Sequence, residues 1–235
     1  MKTLILSDFH GESPFEFVNS IGGLGRIVFL GDWDEPELLE EALKRDFGAE
    51  KIFLIGNHDY EFCLGEEISS PRLKRSFEQY REDWRNSSAY DFVKKSAQVK
   101  KGIRRGISVV RRVGEKKVAF VHGTLSALYP SHEANPMTWG RLKEEYFWDF
   151  CPYRVAANFR EMINRNIWVL FRGHDHMSEI FENPETQASD STHKQVGKGA
   201  ILDKRKRYIV SIGEFYCGDY CLFDDETGKV ELKRR

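Results

Sequence analysis

The 235-residue sequence contains no apolar run near the roughly 18–20 residues that a membrane-crossing helix needs. Cysteine is scarce: Cys63, Cys151, Cys217 and Cys221 show neither CxxC spacing nor the density of a disulfide-stapled scaffold. Cys217 and Cys221 lie four apart in what reads as strand and turn, so neither a bridge nor a metal pair is expected there. A surplus of one charge is missing too. With 36 Lys/Arg against 37 Asp/Glu the total is −1, which argues against a strongly basic nucleic-acid binder or a protein driven by an acidic tail. Aromatic residues at 13%, with charge near zero, exclude global disorder. No internal repeat or linker divides the chain, and residues 1–235 read as a single domain. The opening apolar run is cut by Asp8 before a secretory h-region could form, so it reads as a buried strand. A soluble cytoplasmic protein is the resulting expectation.

The neutral total is a cancellation. Residues 1–93 carry 10 Lys/Arg against 19 Asp/Glu, whereas residues 94–117 carry 10 Lys/Arg against Glu115 alone. That basic block, with pairs such as Lys94-Lys95, Arg111-Arg112 and Lys116-Lys117, has the charge of a nucleic-acid footprint. It lacks the aromatic interleaving that single-strand stacking uses. A solvated surface balancing the acidic first segment is the favoured reading.

Short apolar, β-rich runs at Thr3–Ser7, Arg26–Leu30, Lys51–Ile55 and Trp168–Arg172 read as buried strands. Helices separate the first three. Ser13-Pro14-Phe15-Glu16 has capping-box spacing with Pro at the first helical position. A second helix starts at Pro36 with Leu38, Leu39, Ala42, Leu43 and Phe47 on one stripe, stopped by Gly48. Strand–helix alternation of this kind predicts a mainly parallel sheet with right-handed crossovers. The second half predicts a hairpin, Ile107–Arg112 with Lys117–Val121 around Gly114-Glu115. Two antiparallel meanders follow: Gly199–Asp203 with Arg207–Ser211, and Tyr220–Phe223 with Lys229–Leu232. Residues 60–100 suggest a helical cap insertion, and 129–166, aromatic-rich, suggest further cap elements or core. Residues 182–198 read as a polar loop.

Five of the seven histidines fall in polar clusters that directly follow apolar runs: LILSDFH, IFLIGNHD, VAFVHG and WVLFRGHDH, with IVFLGD adding a carboxylate. Each cluster alone is ordinary turn or capping chemistry. Together, five strand ends would deliver carboxylates, imidazoles and an amide to one rim, where open α/β sheets bind ligands. His174-x-His176 is the strongest single element, because alternate residues leaving a strand point the same way. His132 and His193 lie outside these clusters and read as surface residues.

The ordered set D-x-H, G-D, G-N-H-D, H-G and G-H-x-H, spanning Asp8 to His176, resembles the calcineurin-like metallophosphoesterase superfamily. Ser211-Ile212-Gly213 is similar to a small-residue turn found late in many members. The resemblance implies an α/β fold, a four-layer α/β/β/α sandwich with mixed sheets and a dinuclear metal site at strand C-terminal ends. Carried over by position, Asp8, His10, Asp32 and His176 would hold one ion. Asp32, Asn57, His122 and His174 would hold the second, with Asp32 bridging, and His58 would be the catalytic acid. The implied reaction is hydrolysis of a phosphomonoester or phosphodiester by in-line attack of a metal-bridging hydroxide. Alternatives are a nucleotide- or nucleic-acid-directed phosphodiesterase or nuclease, and a non-catalytic metal-bound scaffold.

Mixed oxygen and nitrogen donors suit two divalent ions such as Mn, Fe, Zn, Ni or Co better than Mg, with Mn the first to test. Asp59, Asp34 and Glu35 are near enough in sequence to orient His58, and Asp59 is the first choice. Asn57 and Arg172 are candidate phosphate contacts, although a strand-end arginine facing solvent or a carboxylate is the commoner case. Two departures bear on the substrate. The arginines that serine/threonine protein phosphatases carry near Gly-Asp and Gly-Asn-His are replaced by Asp32-Trp33-Asp34-Glu35-Pro36 and Leu54-Ile55-Gly56, which places phosphoprotein substrates in doubt. His58 stands where simple bacterial phosphodiesterases of the superfamily often have Cys.

Overall fold

Alternating strand side chains decide the layering. The computed structural model describes residues 1–64, 81–97, 99–100, 103–104, 108–125, 152–183 and 194–235. In β1 (Lys2–Leu6), Leu4 and Leu6 face one core while Ile5 faces another. In β2 (Leu24–Phe29), Ile27 and Phe29 join Leu4, and Val28 joins Ile5. β3 (Glu50–Phe53) completes a parallel trio. The first core is closed by α1 (Phe15–Ser20), α2 (Pro36–Lys44), α3 (Asn57–Leu64) and α4 (Ser88–Ala97), through Val18, Leu39, Phe62 and Val93, with the fully buried Trp84 beside them.

A second sheet has the same two-faced logic. A two-residue turn at Gly114-Glu115 joins β6 (Ser108–Val113) to β7 (Lys116–Val121), as the sequence predicts, with Val113 opposite Lys116. In β7, Val118 and Phe120 face the inter-sheet core, while Ala119 and Val121 face α5 (Pro152–Asn164), which contributes Val155, Phe159 and Met162. β8 (Ile167–Arg172) runs parallel to β7 with a register shift, so Trp168 and Val169 both turn inward. Such a shift is the geometry of a bulge. The fourth apolar run thus belongs to a different sheet from the first three.

The remaining strands of the two sheets are β9 (Ser178–Asn183), β10 (Lys194–Val196), β11 (Gly199–Ile201), β12 (Arg207–Ile212), β13 (Asp219–Asp224) and β14 (Lys229–Arg234). Strand orders are β11-β14-β13-β1-β2-β3 and β10-β9-β12-β8-β7-β6, with β4 (Val99–Lys100) and β5 (Ile103–Arg104) a separate pair. Two sheets back to back with helices outside make a four-layer α/β/β/α sandwich. Three expectations need correction. Residues 182–198 are not all loop: β9 (Ser178–Asn183) ends there and β10 (Lys194–Val196) lies inside it. β11 (Gly199–Ile201) and β12 (Arg207–Ile212) are not partners. β11 pairs with β14 (Lys229–Arg234) in the first sheet while β12 pairs with β8 and β9 in the second, so the basic turn between them crosses from sheet to sheet. β13 (Asp219–Asp224) and β14 do form the expected hairpin. The capping box does not form: Pro14 is the N-cap and makes no side-chain cap bond.

Residues 65–80 of the expected cap insertion and 126–151 of the aromatic segment lie outside the described residues, as do His132 and His193. Among the described residues no helix is long and apolar enough to cross a membrane. The parallel strands β1, β2, β7 and β8 all end toward one rim.

Candidate metal centre

Each central carboxylate has one oxygen fixed and one presented. Asp8, after β1, is fully buried, and its Oδ2 accepts the His174 backbone N–H at 3.0 Å. Its Oδ1 is buried without a hydrogen-bond partner, 3.5 Å from His176 Nε2 and 3.9 Å from His122 Nε2. Asp32, after β2, repeats the pattern: Oδ1 accepts the His58 N–H at 2.9 Å, and Oδ2 lies 3.2 Å from His122 Nε2. A buried carboxylate oxygen with no donor is costly unless a cation meets it.

The imidazoles are aimed from behind. His122 Nδ1 donates to the Leu30 carbonyl at 3.1 Å, which turns Nε2 toward Asp32. His10 Nδ1 lies 3.1 Å from Asp34 Oδ2, His176 Nδ1 lies 3.2 Å from Glu214, and the two Nε2 atoms converge at 3.3 Å. Outer carboxylates on metal-binding histidines fix the ring and raise its basicity. Asn57 Oδ1 sits 3.1 Å from His122 Nε2 and 2.9 Å from His174 Nδ1. Among the described residues three groups converge closely enough to hold an ion: Asp8, His10 and His176; Asp32, His122 and His174; and His10, Asp34 and His58, which shares His10 with the first.

A family model, the calcineurin-like phosphoesterase superfamily domain, matches residues 1–189. The chain belongs to this superfamily. No curated protein matches it significantly. Among solved structures it is similar to a metallophosphoesterase from Sphaerobacter thermophilus, at TM-score 0.62 and 20% identity over 100% of this chain and 88% of that one. A hypothetical protein from Pyrococcus horikoshii is similar at TM-score 0.58 and 13% identity, over 99% and 87%. At these identities the likeness speaks for the fold. Superfamily members are metal-dependent, and the donors here fit: an unpartnered buried Asp8 oxygen faces converging imidazole nitrogens.

The calcineurin-like rim is held in unusual backbone. Among the described residues seven non-glycine residues have positive φ, and six are Asp8, His10, Asp32, Asp34, His174 and His176. Asp and His tolerate this region better than most, and such strain gathers at functional sites. Gly173 is needed for close approach, since a Cβ there would collide with Ser7 Oγ and lie 2.6 Å from Asp8 Oδ2.

His58 is placed at the start of α3, and its Nδ1 lies 2.7 Å from Asp34 Oδ1. The orienting carboxylate is therefore Asp34, not Asp59. Asp59 is fully buried, and its carboxylate accepts the backbone N–H groups of Asp32, Trp33 and Gly56 at 2.8–2.9 Å. As the next residue along the helix, it points under the turn while His58 points out. Trp84 Nε1 donates to the Asp34 carbonyl at 3.0 Å, tying residues 81–97 to the same loop.

Arg172 meets a carboxylate, the commoner case, and its candidacy as a phosphate contact falls. Its side chain is fully buried, and it is paired with Asp175 and bonded to Ser211 Oγ at 3.0 Å and the Gly123 carbonyl at 2.8 Å, so it is not presented to a phosphate. Glu214 was not anticipated. Its one sequence signal is its place directly after Ser211-Ile212-Gly213.

Charge in the calcineurin-like rim is balanced locally. Burial opposes ionisation of Asp34, yet hydrogen bonds from His10 and His58 hold its pKa down to about 2. Burial likewise opposes a charge on His58, but the Asp34 bond and the fields of Asp32, Asp34 and Asp59 push its pKa up to about 10. His122 is pushed up to about 9 against burial, chiefly by Asp32. Burial and the neighbouring His122 lower His174 to about 4. Asp59, raised by burial and by Asp32, sits at about 6 despite its three N–H donors.

Proposed function

We propose that this protein hydrolyses a phosphomonoester or phosphodiester with two divalent cations, using His58 as general acid. One cation would be held by Asp8, His10, Asp32 and His176, and the other by Asp32, Asn57, His122 and His174. When bound, the cations would supply Lewis-acid polarisation of the phosphoryl oxygens and an acidified water. The observation that carries the reading is the Asp34–His58 pair beside two convergent ligand groups.

Asp34 accepts the His58 Nδ1 proton, so the proton available to a leaving oxygen is on Nε2. In the metal-free protein the raised pKa keeps His58 protonated at neutral pH, the state an acid must hold before the reaction. Asp34 then stabilises the ring orientation while the proton leaves. His58 is partly exposed, which lets a substrate oxygen reach it. Burial of Asp8, Asp32 and His122 keeps bulk water from competing for the ligand atoms. Scaffold-only function is disfavoured because a binding module has no use for an oriented proton donor. The charged pairs Arg111-Arg112 and Lys116-Lys117 sit at the strand ends farthest from His122, which gives no support to nucleic acid being led to the metals.

Metal analysis followed by Mn²⁺-dependent hydrolysis of aryl phosphate mono- and diesters tests the proposal. Two cations per chain and chelator-sensitive turnover are expected. Two bound cations without turnover of any ester would reject catalysis and leave the scaffold. A His58→Ala variant that keeps its metals should lose alkyl esters far more than p-nitrophenyl esters. Equal retention of both would remove His58 from the mechanism.

A further inference from the structure

Arg172, at the C-terminal end of β8, has a fully buried side chain that reaches three separate segments. Nε donates to the carbonyl of Gly123, the residue after His122, at 2.8 Å. Nη1 donates to Ser211 Oγ at 3.0 Å and pairs with the nearly buried Asp175 carboxylate. Asp175 lies between His174 and His176, and Ser211 lies three residues before Glu214, which holds His176 Nδ1 at 3.2 Å. A backbone bond from Gly173 N–H to the His122 carbonyl, 2.9 Å, closes the same junction. His122, His174, His176 and Glu214 are therefore all carried by segments that touch one planar cation.

A buried ion pair is a poor device for stability alone, because well-packed apolar side chains of similar volume often serve as well or better. β8 is otherwise wholly apolar from Ile167 to Phe171. What an apolar side chain cannot do is bond a carbonyl, a hydroxyl and a carboxylate at fixed angles at once. A ligand set must be held within about 0.5 Å to bind well.

We propose that Arg172 is a positioning residue that sets the mutual placement of His122, His174 and His176, and so the affinity of the rim for its two divalent cations. This inference rests on the two-cation reading above. The test titrates Mn²⁺ into metal-free wild type and the variants Arg172→Met, Arg172→Lys and Ser211→Ala by calorimetry. The magnetic coupling between two bound Mn²⁺ ions is followed by electron paramagnetic resonance. Wild type should bind two ions. Arg172→Met should bind both ions about 10- to 100-fold more weakly, with the coupling signal reduced. Arg172→Lys keeps the charge but not the fork and should fall close to Arg172→Met. Ser211→Ala, which removes one bond, should lie between them and wild type, and it keeps the test alive should Arg172→Met not fold. Phe159→Ala, destabilised on the far face under α5, should bind as wild type does. Wild-type affinity for both ions in folded Arg172→Met, or in Ser211→Ala if the former does not fold, would overturn the proposal alone. Wild type that binds fewer than two ions would overturn the two-cation reading, and this inference with it.

Discussion

Asp34→Asn separates the two jobs that one carboxylate performs. Asp34 faces His58 Nδ1 at 2.7 Å and His10 Nδ1 at 3.1 Å, and as a carboxylate it accepts a proton from both. An amide has one oxygen and one NH₂, so it can accept from only one ring and must point a donor at the other. If the oxygen goes to His58, His10 is pushed toward the wrong tautomer for a ligand Nε2. If it goes to His10, His58 loses its charged partner. The second outcome has a size that follows from the site. With Asp34 neutral, the His58 pKa should fall from about 10 toward its ordinary 6.5. At 6.5 the protonated fraction at pH 8 is about 0.03, a loss of about 30-fold, while at pH 6 it is about 0.8. The acid works protonated, so activity is present below its pKa and lost above. The wild-type to Asp34→Asn ratio should therefore widen by up to about tenfold per pH unit above about 6.5, until wild-type His58 itself deprotonates. Bound cations lower both pKa values, but the variant stays below wild type. The assay is kcat against pH for an alkyl and a p-nitrophenyl phosphate ester, with Mn²⁺ titration alongside. A pH-independent ratio for the alkyl ester together with unchanged Mn²⁺ affinity would refute the reasoning on both branches.

Gly173→Ala should destabilise by about 1–3 kcal/mol in urea unfolding and weaken Mn²⁺ binding, because the added methyl displaces Ser7 and Asp8. Glu182→Gln tests a pair outside the rim. Burial opposes ionisation of Glu182, but Lys206, Lys194 and Tyr208 lower its folded pKa, so its contribution is present above the unfolded value of 4.5 and lost as pH falls through the folded one. The variant should lose about 1–2 kcal/mol at neutral pH, with the difference shrinking as the pH falls below 4.5 in denaturant titrations. Lys116→Gln with Lys117→Gln should change kcat/KM for a small aryl ester by less than about twofold in 0.1 M salt, where a charge four strand residues, about 13 Å, below Val121 is screened. Mn²⁺ affinity of the metal-free protein should rise from about pH 6 to about pH 8 with proton release, measured by calorimetry in two buffers of different ionisation enthalpy.

The rim residues were legible because each lies within four residues of the end of an apolar strand, and parallel strands end together. Asp8, Asp32, Asn57, His122 and His174 need no long-range information beyond that. What failed is non-local. β9, Ser178–Asn183, escaped notice because Glu179 and Glu182 break its apolar pattern, and Glu182 is nonetheless buried by meeting Lys206 and Tyr208. β11 was joined to β12 because neighbours in sequence usually pair, whereas the turn after Ile201 changes sheets. Asp59 was preferred over Asp34 on adjacency to His58. Adjacency on a helix turns side chains about 100° apart, so the next residue points elsewhere. Asp34 reaches His58 through a loop whose positive φ at Asp32 and Asp34 no propensity scale would supply.

The acidic excess of the first 93 residues acquires a purpose in this geometry. Asp8, Asp32 and Asp59 are essentially buried, and Asp34 lies beside them. Carboxylates so close in a poorly solvated site cannot all stay ionised without compensating charge. In the metal-free protein the compensation is shared: Asp59 is driven up to about 6, while His58 and His122 are held protonated by pKa values near 10 and 9. A ligating imidazole must be neutral, so a cation that takes Asp32 and Asp8 also takes the place of the His122 proton. Protons and divalent ions thus compete for the same carboxylates. A cation on Asp32 lowers the His58 pKa as well, but the His58 Nδ1 partner is Asp34 and not Asp8 or Asp32. On the proposed mechanism, the same rim would exchange protons for metal at His122 and still keep one proton, on His58, for the leaving group.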